Sequence, residues 1–555
     1  MIKSRSATTT NLLTARIASK QPRMSRCLLS VAVASSLLLV GCGDDDEIVS
    51  YSTTVKPISA FTTAQIDNGF GNTAAPTAKC DIKIEKVSYL TVGAAGERTR
   101  ATAALMLPSG NSADCQGDRP ILLYAHGTTT DKDYDFSQVA NTKNPAVSEA
   151  TLIAANFAAQ GYIVVAPNYA GYDESDLDYH PYLVADQQAT DMVDALDGAR
   201  TIIDRKKREN ASTYATINDS GKLFIAGYSQ GGHVAMATAR LLDEQNKPVT
   251  AIAPSSGPYA LAAFGDAIFT GNVNIGATRF APLLAEGMQK KYGNIYNSPS
   301  DIFSAQYADT QLPSTQSFSD LVREGKLPEN AMFERNPKNN PTLDQLPMLD
   351  PQSFSSIIGF NNSEYLIRTN YRTQYVADAL QNQDSLIAGT GALPAQSPQN
   401  NLRKALKDND LRGYTPKMPT LLCGGNQDPT VYYDINTGSV AAILQAAAPS
   451  NNLNVTVLDV DTRGDRGAIT PIGNAMSNPW MTTTVLDDVQ NRFATSLTAV
   501  QNKAVADAQA AGVTDPNVLA QAAGTAVLAN YHGSLTSAAC TQATREFFNQ
   551  EFKAT

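Results

Sequence analysis

Residues 222–237 have the sequence KLFIAGYSQGGHVAMA, in which an apolar run meets a glycine-rich turn and then a helix-compatible segment. The apolar run LFIA has the length and composition of a buried strand. Residues 227–231 match G-x-S-x-G, and the order strand, sharp turn, helix is the one that a nucleophile elbow requires. Gly227 and Gly231 leave room where the strand and the helix approach closely. We therefore predict that Ser229 is a catalytic nucleophile.

Strand-like and helix-like segments alternate along much of the chain. Residues 82–92 and 99–107 have the pattern of two strands joined by the sequence GAAG, and they predict an antiparallel hairpin. The segments that follow are typical of a mostly parallel, doubly wound sheet of the α/β class. The predicted strands lie at residues 121–125, 162–166, 223–226, 249–253, 419–423 and 455–460, and the predicted helices at residues 146–160 and 183–204.

A serine hydroxyl becomes an effective nucleophile only when a base accepts its proton and a carboxylate orients that base. In a sheet of this kind the expected chain order is serine, acid, histidine. The chain has four histidines, and three of them either precede the expected acid or crowd the elbow. We therefore predict His532 as the base, in a loop between two helical segments. His180 is the alternative.

The acid is predicted from an apolar strand that ends in a glycine-rich turn carrying an aspartate. Residues 422–429 have the sequence LCGGNQDP, which matches this arrangement and places Asp428 in the turn. Asp434, Asp459 and Asp461 are weaker candidates. We therefore predict Asp428 as the residue that orients the base.

A strand-terminal His-Gly is the second local signal of a serine hydrolase site. The strand at residues 121–125 ends in His126-Gly127-Thr128. Sheets with a nucleophile elbow build an oxyanion hole from one backbone N–H in such a loop and from the N–H of the residue after the nucleophile. We predict the N–H groups of Thr128 and Gln230 in this role, with His126 shaping the turn.

Two further segments carry a resemblance to a known family. Together with the elbow and the His-Gly, APNYAGY at residues 166–172 and HPYL at residues 180–183 resemble the secretory lipase branch of the α/β-hydrolases. The resemblance covers roughly residues 80–260 and then the strands that carry Asp428 and Val455. It implies an α/β-hydrolase fold and a serine carboxylesterase or lipase with an ester substrate and no metal or organic cofactor. It also implies that His180 is structural.

Two long insertions interrupt the predicted hydrolase core at residues 80–261 and 417–555. Residues 262–416 are rich in Asn, Gln, Ser and Pro with intermittent aromatic residues, and we predict a mainly helical cap that covers the active site and binds an acyl chain. Residues 480–528 are rich in Ala, Val and Gln and predict helices with a break near Gly512.

The cysteines indicate an oxidising compartment. Apart from two near the N-terminus, the chain has four, which allow three pairings. We favour Cys80–Cys115, at the two ends of the predicted hairpin. We also favour Cys423–Cys540, because these residues flank the predicted acid and base. No Cys-x-x-Cys spacing is present, so we expect no zinc site or other metal.

The N-terminus has the pattern of a bacterial export signal. A basic start at Met24 precedes an apolar run that ends in LVGC at residues 39–42, which resembles a lipoprotein lipobox. We expect a signal peptide over residues 1–41 and a lipid such as palmitate on Cys42, which would hold the protein in the cell envelope, at the outer membrane or cell surface. Translation from Met24 would leave residues 1–23 untranslated. We expect residues 42–79 to be a flexible tether.

Composition narrows the class of partner. The net charge of −10 gives no basic face for nucleic acid, and we expect a monomer that meets the membrane through its lipid. Two other functions stay open. A serine peptidase of the prolyl-oligopeptidase kind shares the elbow, although no propeller-like repeats precede the domain. A catalytically silent envelope-binding lipoprotein could keep the same fold.

Overall fold

The computed structural model describes residues 53–70, 75–212, 214–384, 397–463, 469–477 and 483–553. The expected signal peptide at residues 1–41 and the expected lipidation site at Cys42 lie outside these ranges. Within them, no helix combines the length and the apolar composition that a membrane crossing requires.

Ten strands of the described chain form one sheet, in the order β1-β2-β3-β5-β4-β6-β7-β10-β11-β12. The six from β5 to β11 are parallel, and the others pair antiparallel at the two edges. The strands are β1 Thr54–Phe61, β2 Asp81–Val92, β3 Arg98–Ser109, β4 Gly117–Ala125, β5 Ile163–Pro167, β6 Ile217–Tyr228, β7 Ala251–Ser255, β10 Thr420–Gly424, β11 Asn454–Asp459 and β12 Ile469–Gly473; a separate pair consists of β8 Phe333–Glu334 and β9 Phe360–Asn361.

Helices flank the sheet and supply the two insertions. The sheet helices are α1 Thr63–Gly69, α2 Val147–Asn156, α3 Ala185–Arg208, α4 Gln230–Glu244, α12 Ser439–Ala447 and α15 Ser537–Lys553. The first insertion contains α5 Leu261–Thr270, α6 Ala277–Tyr292, α7 Pro299–Ile302, α8 Phe318–Arg323, α9 Phe354–Ile358, α10 Thr369–Gln381 and α11 Asn401–Asp408, and the second contains α13 Thr483–Ala510 and α14 Pro516–Asn530.

The central parallel strands are buried on both faces. Every residue of β5, β7 and β10 is buried, as is each residue of β4 from Pro120 onward. Strands covered by helices on both sides read as continuous apolar runs rather than as alternating patterns. This is why short apolar runs in the sequence were sufficient to locate them. The antiparallel hairpin of β2 and β3 is also present, with Val92 opposite Arg98 at its turn.

The flexible tether predicted for residues 42–79 is wrong for β1 and α1. Strand β1 pairs antiparallel with β2 from Thr54 to Phe61, and α1 begins with a capping box between Thr62 and Gln65. An edge strand needs only one neighbour and one half-buried face, so its composition can remain polar. The few apolar side chains here, including Ile66 and Phe61, pack against the main core.

The first insertion forms a helical cap with its own apolar core. Two buried arginines in and beside it each contact two carboxylates: Arg403 with Asp266 and Asp378, and Arg412 with Asp384 and Asp410. The Asp410 carboxylate also accepts a hydrogen bond from the N–H of Ala262 at 3.0 Å. Because removing one partner of a buried ion pair leaves an uncompensated charge, these contacts fix the closing segment of the cap against its first helix.

The second insertion packs as two helices beside the sheet. Helices α13 and α14 contact each other, and α13 also contacts α15. Val489, Phe493 and Leu497 on α13 are buried in the main core. Gly512 lies in the turn between the helices with a positive φ of 89°, at the break that the sequence predicts. The insertion therefore joins the core immediately before the segment that carries His532.

Candidate active site

Ser229 sits in a strained turn between β6 and α4. Its backbone has φ 59° and ψ −123°, a conformation that non-glycine residues adopt at a cost of about 1–3 kcal/mol. The neighbouring glycines are required because a side chain at either position would clash with the backbone. A Cβ on Gly231 would lie 1.9 Å from the carbonyl oxygen of Ala125, and one on Gly227 would lie 2.1 Å from the carbonyl oxygen of Gly231. The turn therefore has the geometry that the sequence indicates for a nucleophile elbow.

A continuous chain of hydrogen bonds links the three residues predicted as a triad. His532 Nε2 lies 2.8 Å from Ser229 Oγ, and His532 Nδ1 lies 2.6 Å from Asp428 Oδ2. A carboxylate can only accept, so Nδ1–H donates to Asp428 and Nε2 is left free to accept the serine proton. The other oxygen of Asp428 accepts from the backbone N–H groups of Thr430 and Val431 at 2.9 and 3.0 Å.

The segment that holds His532 differs from the predicted loop. It is a π-helical turn, Tyr531–Thr536, between α14 and α15. Such wide turns insert an extra residue into a helix and are frequent at functional sites. Tyr228, next to Ser229, donates its hydroxyl to the carbonyl of His532 at 2.6 Å and packs its ring 5.0 Å from the imidazole. The backbone of the base is thus bonded to the strand that carries the nucleophile.

Two of the weaker acid candidates brace the loop of Asp428. Asp459 accepts from the backbone N–H of Asn426 at 3.1 Å and from its side chain at 2.8 Å. Asp461 accepts from the hydroxyl of Tyr531 at 2.7 Å, and that hydroxyl accepts from the N–H of Gln427 at 3.1 Å. The turn before Asp428 is therefore tied both to the next strand and to the residue before His532. Sequence reasoning did not assign this bracing role.

The two N–H groups predicted for an oxyanion hole lie beside the nucleophile. Gln230 is the first residue of α4, and Thr128 follows Gly127, where a Cβ would lie 3.7 Å from Cβ of Ser229. In the described chain, neither the Thr128 nor the Gln230 N–H has a hydrogen-bond acceptor. Two free N–H donors, one at the start of α4 and one in the loop after β4, can stabilise negative charge.

Glu149 fixes the Gly127 loop and was missed from the sequence. Its carboxylate accepts from the N–H of Gly127 at 3.0 Å and from the hydroxyls of Tyr124 and Tyr134 at 2.8 and 3.1 Å. Burial raises the pKa of Glu149, which the hydrogen bonds to the carboxylate oppose. Nothing in the local pattern of α2 sets this residue apart, because its partners come from distant segments. Glu149 thus holds the N–H of Gly127, while the next N–H, that of Thr128, has no acceptor among the described residues.

The other histidines are buried away from the Ser229 hydroxyl. His180 Nδ1 donates to the carbonyl of Ala170 at 2.8 Å, and its Nε2 accepts from the side chain of Gln230 at 2.7 Å. Burial lowers the pKa of His180 to about 3, so the ring is neutral. His126 contacts the carbonyl of Gly127 at 2.7 Å and stacks on Tyr169. These rings support the loops around the site.

Both favoured disulfides are present. Cys423–Cys540 joins the end of β10, just before the Asp428 turn, to α15, just after the His532 turn. Cys80–Cys115 joins the residue before β2 to the short turn after β3. In the chain-entropy model, each disulfide restricts the unfolded chain and so raises the free energy of unfolding by about 4 kcal/mol or somewhat more. The Cys423–Cys540 bond therefore restrains the two loops that supply the acid and the base.

Two different cavities meet at Ser229. One has a volume of about 850 Å³, including its open mouth, and is lined mainly by apolar side chains of the cap, among them Leu261, Phe264, Ile268, Ala281, Leu284 and Leu406. The other, about 1690 Å³ with its open part, is mixed in polarity and is lined by Thr128, Asp131, Arg279, Glu329, Ser229 and His532 among others. A substrate bound across Ser229 would thus have an apolar side and a polar side.

The described ranges contain no ready set of metal ligands. No group of three or more His, Cys, Asp and Glu side chains there is close enough to hold a metal ion.

Comparisons with known proteins agree with the fold described above. Residues 122–399, which are half of the chain, match the model of the Alpha/beta hydrolase family. The rice cell wall degrading esterase LipA from Xanthomonas oryzae is 26% identical, with a TM-score of 0.56 over 74% of this chain and 91% of that one. A Legionella pneumophila protein assigned as a hydrolase is 19% identical, with a TM-score of 0.52 over 74% and 92% of the two chains, and shows the fold alone. A search of curated sequences gives no match.

Proposed function

The chain belongs to the alpha/beta hydrolase family, and from this premise we propose that it is a serine carboxylic-ester hydrolase, an esterase or lipase, that acts through Ser229. The observation that carries the proposal is the unbroken chain of hydrogen bonds from Asp428 through His532 to Ser229. The esterase from Xanthomonas oryzae, which has a similar fold and 26% sequence identity over the aligned 74% of this chain, supports the choice of an ester as substrate.

The first half of the reaction forms an acyl-enzyme. Ser229 Oγ attacks the ester carbonyl carbon while His532 Nε2 accepts its proton, and Asp428 stabilises the resulting imidazolium. The carbonyl oxygen becomes an oxyanion and accepts hydrogen bonds from the N–H groups of Thr128 and Gln230. The carbon–oxygen bond to the alcohol then breaks, His532 gives its proton to the leaving alkoxide, and the acyl group remains on Ser229.

The second half returns the enzyme to its starting state. Water enters after the alcohol leaves, His532 takes a proton from it, and the hydroxide attacks the acyl carbon. The same two N–H groups hold the second oxyanion. When this intermediate collapses, the bond to Ser229 Oγ breaks, His532 returns its proton to the serine, and the carboxylic acid departs.

The two cavities differ in polarity, and this difference supports a separate place for each part of the ester. The cavity under the cap is apolar over most of its wall and opens beside Ser229, so it suits the acyl chain. Burying a methylene there contributes about 0.8 kcal/mol. The mixed cavity on the side of His532 suits the alcohol, which receives its proton from that residue.

Ester and amide substrates distinguish this proposal from its alternatives. We expect the protein, produced from residue 43 onward, to hydrolyse p-nitrophenyl esters from acetate to laurate and to react with a fluorophosphonate at Ser229, located by mass spectrometry of the digest. A preference for peptide anilides would instead favour a peptidase. Absence of labelling and of ester hydrolysis would favour a catalytically silent protein.

The acyl assignment predicts a change in chain-length preference. Ala281 lies on α6 in the wall of the apolar cavity, so Ala281→Phe should shorten the space for the chain. We expect the ratio of kcat/KM for laurate to that for butanoate to fall at least about tenfold, since two or more methylenes lose their buried site. Ala305→Phe, at an exposed cap position, is the matched control. An unchanged ratio in Ala281→Phe would place the acyl chain elsewhere.

Anchoring in the envelope is a separate proposal that rests on the lipobox-like LVGC sequence. We propose that a signal peptide ending at Gly41 is removed and that Cys42 carries the lipid. The full-length protein, expressed in a bacterial host, should incorporate labelled palmitate and fractionate with membranes. Cys42→Ala should lose both, whereas Cys27→Ala should lose neither. Incorporation that persists in Cys42→Ala would reject the anchor.

A further inference from the structure

The segment His180-Pro181-Tyr182 is bonded to both residues whose N–H groups form the proposed oxyanion hole. The hydroxyl of Tyr182 is hydrogen-bonded to the hydroxyl of Thr128 at 2.9 Å. Two residues earlier, His180 Nε2 accepts from the side-chain amide of Gln230 at 2.7 Å. Thr128 lies in the loop after β4 and Gln230 at the start of α4, so they come from different parts of the chain. One short segment therefore ties the two halves of the hole together.

The tautomer of His180 fixes the direction of its bond to Gln230. His180 Nδ1 lies 2.8 Å from the carbonyl of Ala170, which can only accept, so Nδ1 carries the hydrogen. The ring is neutral because burial lowers the pKa of His180 to about 3. Nε2 is then an acceptor, and the Gln230 amide presents its nitrogen to it. The side chain of Gln230 is thus held, through His180, to the loop that carries Ala170.

The backbone of this segment is itself confined, because two other elements pack directly against it. Gly287 of the cap helix α6 lies so close that a Cβ there would be 2.8 Å from the backbone nitrogen of Tyr182. Gly171 lies equally close, since a Cβ there would be 2.2 Å from the carbonyl oxygen of Tyr179. Within the segment, the N–H of Tyr182 donates to the carbonyl of His180 at 2.7 Å. A confined segment can hold a bonded partner in one position.

The exact position of the two N–H groups matters for the rate, because the oxyanion exists only during the reaction. Donors that already point to its position need no rearrangement when the charge develops. The Thr128 N–H lies in a loop and the Gln230 N–H at the first residue of a helix, and neither has an acceptor among the described residues. Their backbone bonds therefore do not fix their directions. The side chains of these same residues are the ones that Tyr182 and His180 hold.

We propose that His180 and Tyr182 are positioning residues that hold the N–H groups of Gln230 and Thr128 in the geometry that stabilises the oxyanion. The inference rests on the proposed ester hydrolysis at Ser229 and adds two residues on which its rate depends. Neither residue transfers a proton or bonds the acyl carbon. Their effect is therefore on kcat and on the binding of transition-state analogues, and hardly on KM.

Two variants each remove one of these bonds and keep both donor N–H groups. Tyr182→Phe removes the hydroxyl that bonds Thr128, which has no other partner in the described chain, and keeps the ring in the wall of the apolar cavity. Gln230→Met removes the bond to His180 at similar length. Complete loss of one oxyanion donor costs about 10²–10³ in kcat. From a donor that remains but is misplaced we expect a fall in kcat of about 5–50-fold, with KM within about twofold of the wild type.

The measurements are kcat and KM for p-nitrophenyl octanoate and the inhibition constants of a trifluoromethyl alkyl ketone and of the methyl ketone of the same chain length. The trifluoromethyl ketone adds Ser229 Oγ at its carbonyl carbon, and the resulting oxyanion occupies the hole, whereas the methyl ketone stays unreacted. We expect the inhibition constant of the first to rise by about the factor by which kcat/KM falls, and that of the second to stay within about twofold. Tyr162→Phe, before β5, and Gln187→Met, on α3, are matched controls that each lose one buried bond elsewhere and should match the wild type.

Thr128→Val shows whether Tyr182 acts through Thr128, because it removes the hydroxyl and keeps the N–H. In this background Tyr182→Phe should change kcat by less than about twofold, since the bond is already absent. An equal loss in both backgrounds, an unchanged kcat in both single variants, or an equal loss of affinity for the two ketones would overturn the proposal. Tyr182→Phe and Gln230→Met act on different partners, so either one suffices if thermal unfolding shows that the other is not folded. These outcomes leave hydrolysis by the wild type intact, whereas equal turnover by Ser229→Ala would overturn the proposed function itself.

Discussion

Ester hydrolysis should fall by at least about 10³-fold when Ser229 is replaced by alanine, while the protein remains folded. The hydroxyl is the atom that bonds the acyl carbon, and His532 Nε2, 2.8 Å away, has no other proton to remove in its place. Loss of one oxygen leaves almost no cavity, and the φ of 59° is as accessible to alanine as to serine. Initial rates with p-nitrophenyl butanoate, together with thermal unfolding by circular dichroism, measure the two effects separately.

Ser256 provides the control for this variant. It is a buried serine close to the elbow, it follows β7, and its φ of 43° is also positive. Ser256→Ala therefore reproduces the loss of a buried hydroxyl from a similar backbone without removing either hydrogen bond of the His532 ring. We expect less than about a tenfold change in activity, as for most substitutions outside the catalytic unit. Retention of most activity in Ser229→Ala would remove the basis of the proposed function.

The features that were predicted from the sequence are those with a local physical signal. Buried parallel strands require continuous apolar residues, and the elbow requires small residues where Gly231 meets Ala125. These constraints act over a few positions, so a single sequence displays them. The α/β-hydrolase fold expected from the resemblance is confirmed by the family match over residues 122–399. The hairpin and the pairing of Cys80 with Cys115 follow in the same way from neighbouring segments.

The features that were missed depend on distant contacts. Strand β1 exists because β2 offers it an open edge, and its own residues are too polar to indicate this. Glu149 becomes a support of the Gly127 loop only when the fold brings α2 to the end of β4. The π-helical turn at His532 likewise depends on the bonds of Tyr228 and Tyr531 to segments far away in the chain. No local pattern records such partners.

His532 was predicted as the base from the chain order serine, acid, histidine and from the small number of histidines. This is a weaker argument than a motif. Helices α13 and α14 precede His532 in the chain, and their packing on the core returns the chain to the end of β6. The bond of Cys423 to Cys540 and the bond of Tyr531 to Asp461 then hold this segment against the acid loop. Geometry thus supplies the support that the sequence argument lacked.

Removing His532 should be as damaging as removing Ser229, and removing both should be little worse. If the two residues act as one unit, the first substitution already abolishes the proton transfer, so their separate effects do not multiply. We expect His532→Ala and Ser229→Ala each to lose at least about 10³-fold in kcat, and the double variant to lie within about tenfold of either. Independent effects would instead give a loss near the product of the two. An active His532→Ala enzyme would show that the base lies elsewhere.

Asp428→Asn should lower activity strongly, although less than Ser229→Ala or His532→Ala, for a reason specific to this geometry. The amide oxygen can still accept from the N–H groups of Thr430 and Val431, which turns the amide nitrogen toward His532 Nδ1. The imidazole must then accept at Nδ1 and carry its hydrogen at Nε2, where it cannot take the serine proton. We expect kcat to fall by at least about 10²-fold, but by less than in Ser229→Ala, with KM little changed. The control Asp434→Asn, at one of the weaker acid candidates, should stay within about tenfold of the wild type. Equal losses in the two variants would mean that Asp428 does not set the tautomer of His532.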